Sequence, residues 1–157
     1  MRLPLAALSL LLALTTACSR EASTPVATSA SAQQEAVTRI GDVSIRASVM
    51  QTSTLSPAIA RQYDIARADT TVMLLVAVRQ GPEAQEVSLP ARITATATDL
   101  RGRRHAIELR ELRSGGLLDY VGTVAISPPE TLRFDLAIVR DGGAASTMQF
   151  SREFFPR

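Results

Sequence analysis

The chain has 157 residues, and 46% of them are hydrophobic. That is enough for one domain with its own core and too little for two large ones. Its 17 basic residues, all arginine, are nearly balanced by 15 acidic ones, which leaves a formal net charge of +2. A nucleic-acid binder usually carries a strongly basic face, and the nearly balanced charge of this chain gives no sign of one. We therefore expect no nucleic-acid partner.

Residues 1–17 have the pattern of an export signal. Arg2 supplies a positive charge, residues 3–14 form an apolar run, and Thr15-Thr16-Ala17 is a zone of small residues suited to cleavage. The apolar run is shorter than the roughly 20 residues that span a bilayer. We therefore predict a signal peptide rather than a membrane helix.

Cys18, the only cysteine, follows this segment directly. Its position resembles the lipobox of bacterial lipoproteins, in which the cysteine is acylated and becomes the new N-terminus. The resemblance implies a lipid anchor on Cys18, and Ser19 beside it favours the periplasmic side of the outer membrane. Export into the soluble periplasm is the alternative. In either case the compartment is oxidising, and one cysteine cannot form an internal disulfide.

Residues 18–38 are predicted to form the lipidated cysteine and a flexible tether. Ser, Ala, Thr and Gln dominate this stretch, Pro25 interrupts it, and no apolar period is present. A loose coil of this length reaches about 25 Å. The folded domain is accordingly predicted to span residues 39–157.

Apolar residues alternate with polar ones through most of this domain, which is typical of β-strands. The clearest example runs from Glu130 to Val139, and similar alternation begins near residues 43, 70, 87, 105, 118 and 147. The strand from Thr70 to Arg79 is apolar on both faces and is predicted to be central in its sheet or covered. Seven strands with turns about every ten residues predict an all-β, immunoglobulin-like antiparallel β-sandwich, with a small barrel as the alternative.

One short helix interrupts the strands. Ser56 is a good N-cap, Pro57 is favoured at the first helical position, and Ile59 and Tyr63 are four residues apart. These residues predict a helix over residues 56–63. Farther along the chain, Pro90 lacks a backbone donor, so it is expected at an edge or a bulge.

Several short motifs follow one another along the predicted domain: residues 52–57, Ala60, 63–65, Arg67, 100–102, 110–113, Tyr120, 130–134 and 154–155. Taken in this order, they resemble the motifs of a small proteobacterial family known only as domain of unknown function 4426. The resemblance covers residues 40–157 and implies an exported, β-rich domain with no established activity.

No motif predicts catalysis, a cofactor or a metal site. His105 is the sole histidine, which excludes a multi-histidine metal centre, and no nucleophile-elbow motif surrounds a serine. The basic residues 101–104 are interpreted as a solvated hairpin turn in preference to a contact for anionic headgroups. Asp141-Gly142-Gly143 lacks the spacing of a calcium loop and is predicted to be a turn.

The segment from Thr52 to Arg67 is the best candidate for a binding site, because loops on a rigid sandwich often carry recognition residues. A structural interpretation is favoured over it, in which Leu55 and Ile59 cap an open end of the sandwich and the Tyr63 hydroxyl bonds to backbone. The candidate residues are Thr52, Ser53, Thr54, Tyr63, Asp64 and Arg67, expected to converge with Arg110, Glu111 and Tyr120.

Three classes of function remain open. The favoured one is a non-catalytic binding or scaffolding module of the cell envelope, which recognises an envelope protein through an edge strand or the Thr52–Arg67 loop. The alternative is a soluble periplasmic protein that holds a small ligand between its sheets. An enzyme is least favoured, because His105 is its only plausible general base.

Overall fold

The alternating segments form ten antiparallel β-strands and one short α-helix in the computed structural model, which describes residues 35–157. The first sheet has the order β1-β2-β3-β8-β7, with β4 also paired to β3, and the second has the order β10-β9-β5-β6. The strands are β1 (Glu35–Ile40), β2 (Val43–Gln51), β3 (Thr71–Gln80), β4 (Val87–Ser88), β5 (Ala91–Asp99), β6 (Arg104–Ile107), β7 (Arg110–Ser114), β8 (Leu117–Ala125), β9 (Glu130–Arg140) and β10 (Ala145–Phe154); the helix is α1 (Pro57–Gln62).

The strand order confirms the immunoglobulin-like sandwich. Strands β2-β3-β8-β7 correspond to the A-B-E-D sheet of that fold, and β10-β9-β5 correspond to its G-F-C sheet. The predicted number of seven strands is wrong, since residues 35–157 form ten. Two of the predicted strands are each divided in two, because the chain passes from one sheet to the other at Leu89-Pro90, between β4 and β5, and at Glu108-Leu109, between β6 and β7. Strand β1 was not predicted and makes the tenth.

Strand β1 begins earlier than the predicted domain boundary. It starts at Glu35, inside the segment assigned to the tether, and pairs with β2 through the turn at Gly41. Ala36 and Thr38 are half-buried against the sandwich, so the last residues of the predicted tether are part of the fold. The predicted signal peptide, Cys18 and the rest of the tether lie outside the described residues.

The core between the sheets is built around Phe134 on β9. This side chain is fully buried, stacks on Phe150 at 5.2 Å between ring centroids, and meets Phe154 edge to face at 6.5 Å. Strand β3 is central, as predicted: Val72 and Val76 face this core, while Met73 belongs to a second cluster on the outer face of the first sheet.

The described chain starts and finishes at the same end of the sandwich. Glu35 pairs with Ser48, close to Gln51 at the end of β2. The side-chain amide of Gln51 donates to the carbonyl oxygen of Phe155 at 3.0 Å, and Arg157 Nε donates to Gln51 Oε1 at 3.1 Å. We call this the chain-entry end; the turns at Gly41, 115–116 and 141–143 form the far end.

Candidate functional site

The Thr52–Arg67 segment folds over the outer face of the first sheet. Leu55 and Ala60 are buried there against Met73, Leu112 and Val121, which belong to β3, β7 and β8. The expectation that this segment caps an open end of the sandwich is therefore wrong. Met73 and Leu75 of β3 are apolar on this outer face because the segment covers them.

Local hydrogen bonds fix the segment. Ser56 is the N-cap of α1, and its hydroxyl accepts from the Ile59 N–H at 3.2 Å. The helix stops at Tyr63, after which Asp64 adopts a left-handed conformation with φ of 48°. This reversal lets the Ile65 N–H donate to the Ala60 carbonyl oxygen at 2.9 Å.

Three of the candidate polar residues hold the segment in place through their side chains. The Thr52 hydroxyl, fully buried, donates to the Ala68 carbonyl at 3.1 Å and accepts from the Ala68 N–H at 2.9 Å. The Thr54 hydroxyl donates to the Gln51 carbonyl at 2.7 Å. Arg67 donates to the Ser53 carbonyl at 2.7 Å. These contacts give Thr52, Thr54 and Arg67 a structural role.

The structure brings together two of the predicted site residues from distant parts of the chain. The Arg110 guanidinium, at the start of β7, donates to the Tyr63 carbonyl oxygen. Tyr120 is on the opposite face of its sheet, where it is buried in the core and its hydroxyl accepts from the Ala91 N–H at 2.8 Å. The expected convergence of Tyr120 with the other candidates is therefore wrong. Glu111 is exposed and pairs with Arg113 at 3.0 Å.

Beside α1 lies an open groove of about 520 Å³, which we call the α1 groove. Its rim carries charges of both signs, and its floor is partly apolar. This combination suits an extended peptide better than a purely apolar ligand. It is lined by Asp64, Ile65, Ala66, Thr71, Glu108, Leu109, Arg110, Val121, Gly122 and Thr123.

Gly122 sets the shape of the groove floor. A Cβ at this position would lie 2.5 Å from the Glu108 carbonyl oxygen and 2.8 Å from Ile107 Cγ2. The glycine thus lets the chain cross closely over β8 on its way from β6 to β7. Gly122, Glu108 and Thr123 were not among the predicted site residues, although a glycine inside an alternating strand is a recognised signal of close backbone approach.

The predicted basic turn at residues 99–103 is organised by Asp99. Its carboxylate accepts from the N–H groups of Arg101 and Arg103 at 2.8 and 2.9 Å, and from Arg103 Nε at 2.7 Å. Burial opposes ionisation of this carboxyl, but the hydrogen bonds from Arg103 and Arg101 outweigh it and lower the pKa of Asp99. Arg101 itself is exposed.

The lowered pKa makes the contribution of Asp99 to stability dependent on pH. A carboxyl group with a depressed folded-state pKa stabilises the fold above its unfolded value, here 3.8, and loses that contribution as the pH falls through the folded value. We expect Asp99→Asn to lower the free energy of unfolding most at neutral pH. The difference from the parent chain should shrink below about pH 4 in urea titrations; a constant difference at all pH values would contradict this account.

Residues 35–157 contain no group of three or more His, Cys, Asp or Glu side chains placed to hold a metal ion. His105 is half-buried on β6, opposite Ala97 of β5. No helix over the same range is long and apolar enough to cross a bilayer.

The family model described as "Domain of unknown function (DUF4426)" matches residues 37–157, which is more than half of the chain. The chain belongs to the DUF4426 family. No curated protein matches it. The crystal structure of a DUF4426 family protein from Pseudomonas aeruginosa PAO1 is similar, with a TM-score of 0.67 and 28% sequence identity, over 80% of this chain and 98% of that one.

A second solved structure is similar to the DUF4426 domain in fold. A copper-bound variant of FetP from uropathogenic Escherichia coli strain F11 aligns with a TM-score of 0.54 and 9% identity, over 79% of this chain and 97% of that one. At this identity the likeness concerns the fold alone.

Proposed function

We propose that this DUF4426 protein is a non-catalytic binding or scaffolding module of the cell envelope. In this proposal a lipid on Cys18 holds the domain near the periplasmic face of the outer membrane, and a partner protein inserts an extended segment into the α1 groove. The observation that carries the proposal is the preformed groove between residues 64–66 and the crossing at residues 108–110.

The groove is suited to binding because its walls are held in place from both sides. The hydrogen bond from Arg110 to the Tyr63 carbonyl oxygen ties the two walls together. Leu112, two residues farther along β7 than Arg110, is buried with Leu55 in the apolar cluster on the outer face of the first sheet. A site that needs little reorganisation loses less conformational entropy when it binds, which favours affinity. Asp64, Glu108 and Arg110 on the rim provide charges for selecting a partner.

The alternative function, a small ligand held between the sheets, is less well supported. Ile45, Val76 and Phe134 are fully buried in that space, so a ligand there would have to displace packed side chains. An adduct seen by native mass spectrometry of protein from its own host would favour this alternative.

Site-specific photo-crosslinking in living cells tests the proposed groove. A photoreactive residue is placed at Thr123, which is exposed on the groove wall, in the full chain that retains Cys18. The matched control is Ala137, also exposed but on the outer face of the second sheet. We expect one envelope protein to be captured from Thr123 and not from Ala137.

A charge reversal sharpens the test. Arg110→Glu removes the cation on the groove rim, and we expect it to reduce the crosslink at Thr123 by about tenfold or more. Arg133→Glu, at an exposed position on β9 of the other sheet, should leave the crosslink unchanged. Equal capture from Thr123 and Ala137, or capture that survives Arg110→Glu, would count against the groove. The mass of the mature N-terminus tests the anchor separately.

A further inference from the structure

The chain-entry end combines exposed apolar side chains with arginine. Leu100 is 83% exposed and Phe155 is 60% exposed, although large apolar side chains usually avoid water. Both line one open groove of about 630 Å³ at this end, together with Arg101 and Arg103. Isolated exposed apolar residues are common, but here two flank the same depression beside two cations.

The position of this surface relative to the rest of the chain is fixed by strand register. Asp99, just before Leu100, pairs with Leu132, while Phe154, just before Phe155, pairs with Glu130. The Phe155 carbonyl in turn accepts from Gln51 of β2. Glu35 enters the sandwich opposite Ser48, within three residues of Gln51. The 34 residues that precede Glu35 therefore join the domain at the end that carries Leu100 and Phe155.

We propose that the chain-entry end contacts the membrane surface, with Leu100 and Phe155 inserted among the headgroups of anionic phospholipids. Arg101 and Arg104 bind lipid phosphates beside them. Exposed aromatic and aliphatic side chains next to arginine suit this boundary, because the apolar parts leave water while the guanidinium groups stay at the level of the phosphates. The proposed lipid on Cys18 supplies the orientation, but contact itself does not require it.

The positions of the charged residues at the chain-entry end are consistent with membrane contact through the turn between β5 and β6 and through Phe155. Arg101 is exposed on the turn between β5 and β6 and Arg104 is exposed at the start of β6, whereas Arg103 is paired with Asp99. Glu130 and Glu153 also line the groove, and the carboxylate of the half-buried Glu130 accepts from the Ser127 N–H at 2.7 Å. We infer that the turn and Phe155 reach the lipid while the two glutamates remain in water.

Vesicle binding by the chain carrying Cys18→Ser tests this surface without any lipid anchor. We expect sedimentation with phosphatidylglycerol vesicles and little with phosphatidylcholine vesicles. Leu100→Ser should weaken binding by about tenfold, since burial of one leucine side chain is lost. Leu117→Ser is the matched control: Leu117 is 43% exposed and lies at the far end, so this variant should bind like the parent.

Arg101→Glu and Arg92→Glu form a second matched pair. Arg92 is exposed on β5 near the far end, where it pairs with Val139. We expect only Arg101→Glu to reduce binding, and added inorganic phosphate to leave most binding intact. Equal loss in both variants would overturn the proposal. Complete displacement by phosphate would overturn it in favour of a free-phosphate site, and capture of a protein from this end would overturn it in favour of a protein interface.

Fluorescence provides a readout that is independent of affinity. The chain has no tryptophan, so Phe155→Trp introduces a single indole. With brominated phosphatidylglycerol vesicles we expect quenching of Phe155→Trp and none of Val139→Trp, which reports from the far end. Absence of quenching at residue 155 on bound vesicles would refute insertion. Crosslinking from Thr123 would be unaffected by that result, so the two proposals fail separately.

Discussion

Gly122→Ala is expected to destabilise the domain by about 3 kcal/mol, because overpacking at this position acts on backbone. The new Cβ would lie 2.5 Å from the Glu108 carbonyl oxygen. At that distance either β8 or the backbone at Glu108 must shift. The carbonyl belongs to the crossing between β6 and β7, so relief by rotating a side chain is not available. Urea unfolding monitored by circular dichroism measures the change.

Gly102→Ala is the control for this substitution. Gly102 has a φ of 83° and nothing within 4 Å of an added Cβ, so its cost is limited to the left-handed backbone, about 1 kcal/mol. Equal losses at the two glycines would show that close approach to Glu108 is not what Gly122 provides. Because Gly122 also lines the α1 groove, crosslinking from Thr123 should decline in folded Gly122→Ala.

Phe134→Ala is expected to lower the free energy of unfolding by about 4 kcal/mol. The ring is fully buried between the sheets and contacts both Phe150 and Phe154. Its removal therefore leaves a cavity, and either neighbouring ring could fill it only by giving up its own packing contacts. Phe134→Leu, which keeps part of the volume, should cost less. The measurement is again the midpoint and slope of urea unfolding.

The same truncation at an exposed ring provides the comparison. Phe155 is 60% exposed, so Phe155→Ala should change stability by no more than about 0.5 kcal/mol. A large loss at Phe155, or a small one at Phe134, would mean that the aromatic cluster is not the centre of the core. Phe155→Ala should nevertheless reduce vesicle binding, which separates its role at the surface from any role in folding.

The sheet strands were predictable from sequence wherever one face is buried and the other is wet. Leu132, Phe134, Leu136 and Ile138 alternate because β9 lies inside its sheet with one face on the core. The sheet crossings were harder to find. Glu108-Leu109 continues the alternation of its neighbours, so local pattern alone does not show that the chain changes sheets there.

The candidate site was partly predictable. The pairing of Arg110 with Tyr63 joins residues that are distant in sequence, and both had been selected. Tyr120 was wrongly expected at the candidate site. Its alternation with Leu118 and Val124 predicts the core face, which is where the side chain lies. The groove residues Glu108 and Thr123 became apparent only once β6, β7 and β8 were assembled, because tertiary contacts define that surface.

The position of β3 has a consequence for how fast the domain forms. On one side it pairs with β2, its neighbour in sequence, but on the other side Thr71 pairs with Ala125 and Ala77 with Asp119. The first sheet is complete only after the stretch between β3 and β8, which supplies β5 and β6 to the second sheet, has been closed into a loop. Loop closure of this kind is entropically unfavourable and slows the search for native pairs. We therefore expect refolding on the scale of milliseconds to seconds, with the β9–β10 hairpin protected from hydrogen exchange before β8 joins β3.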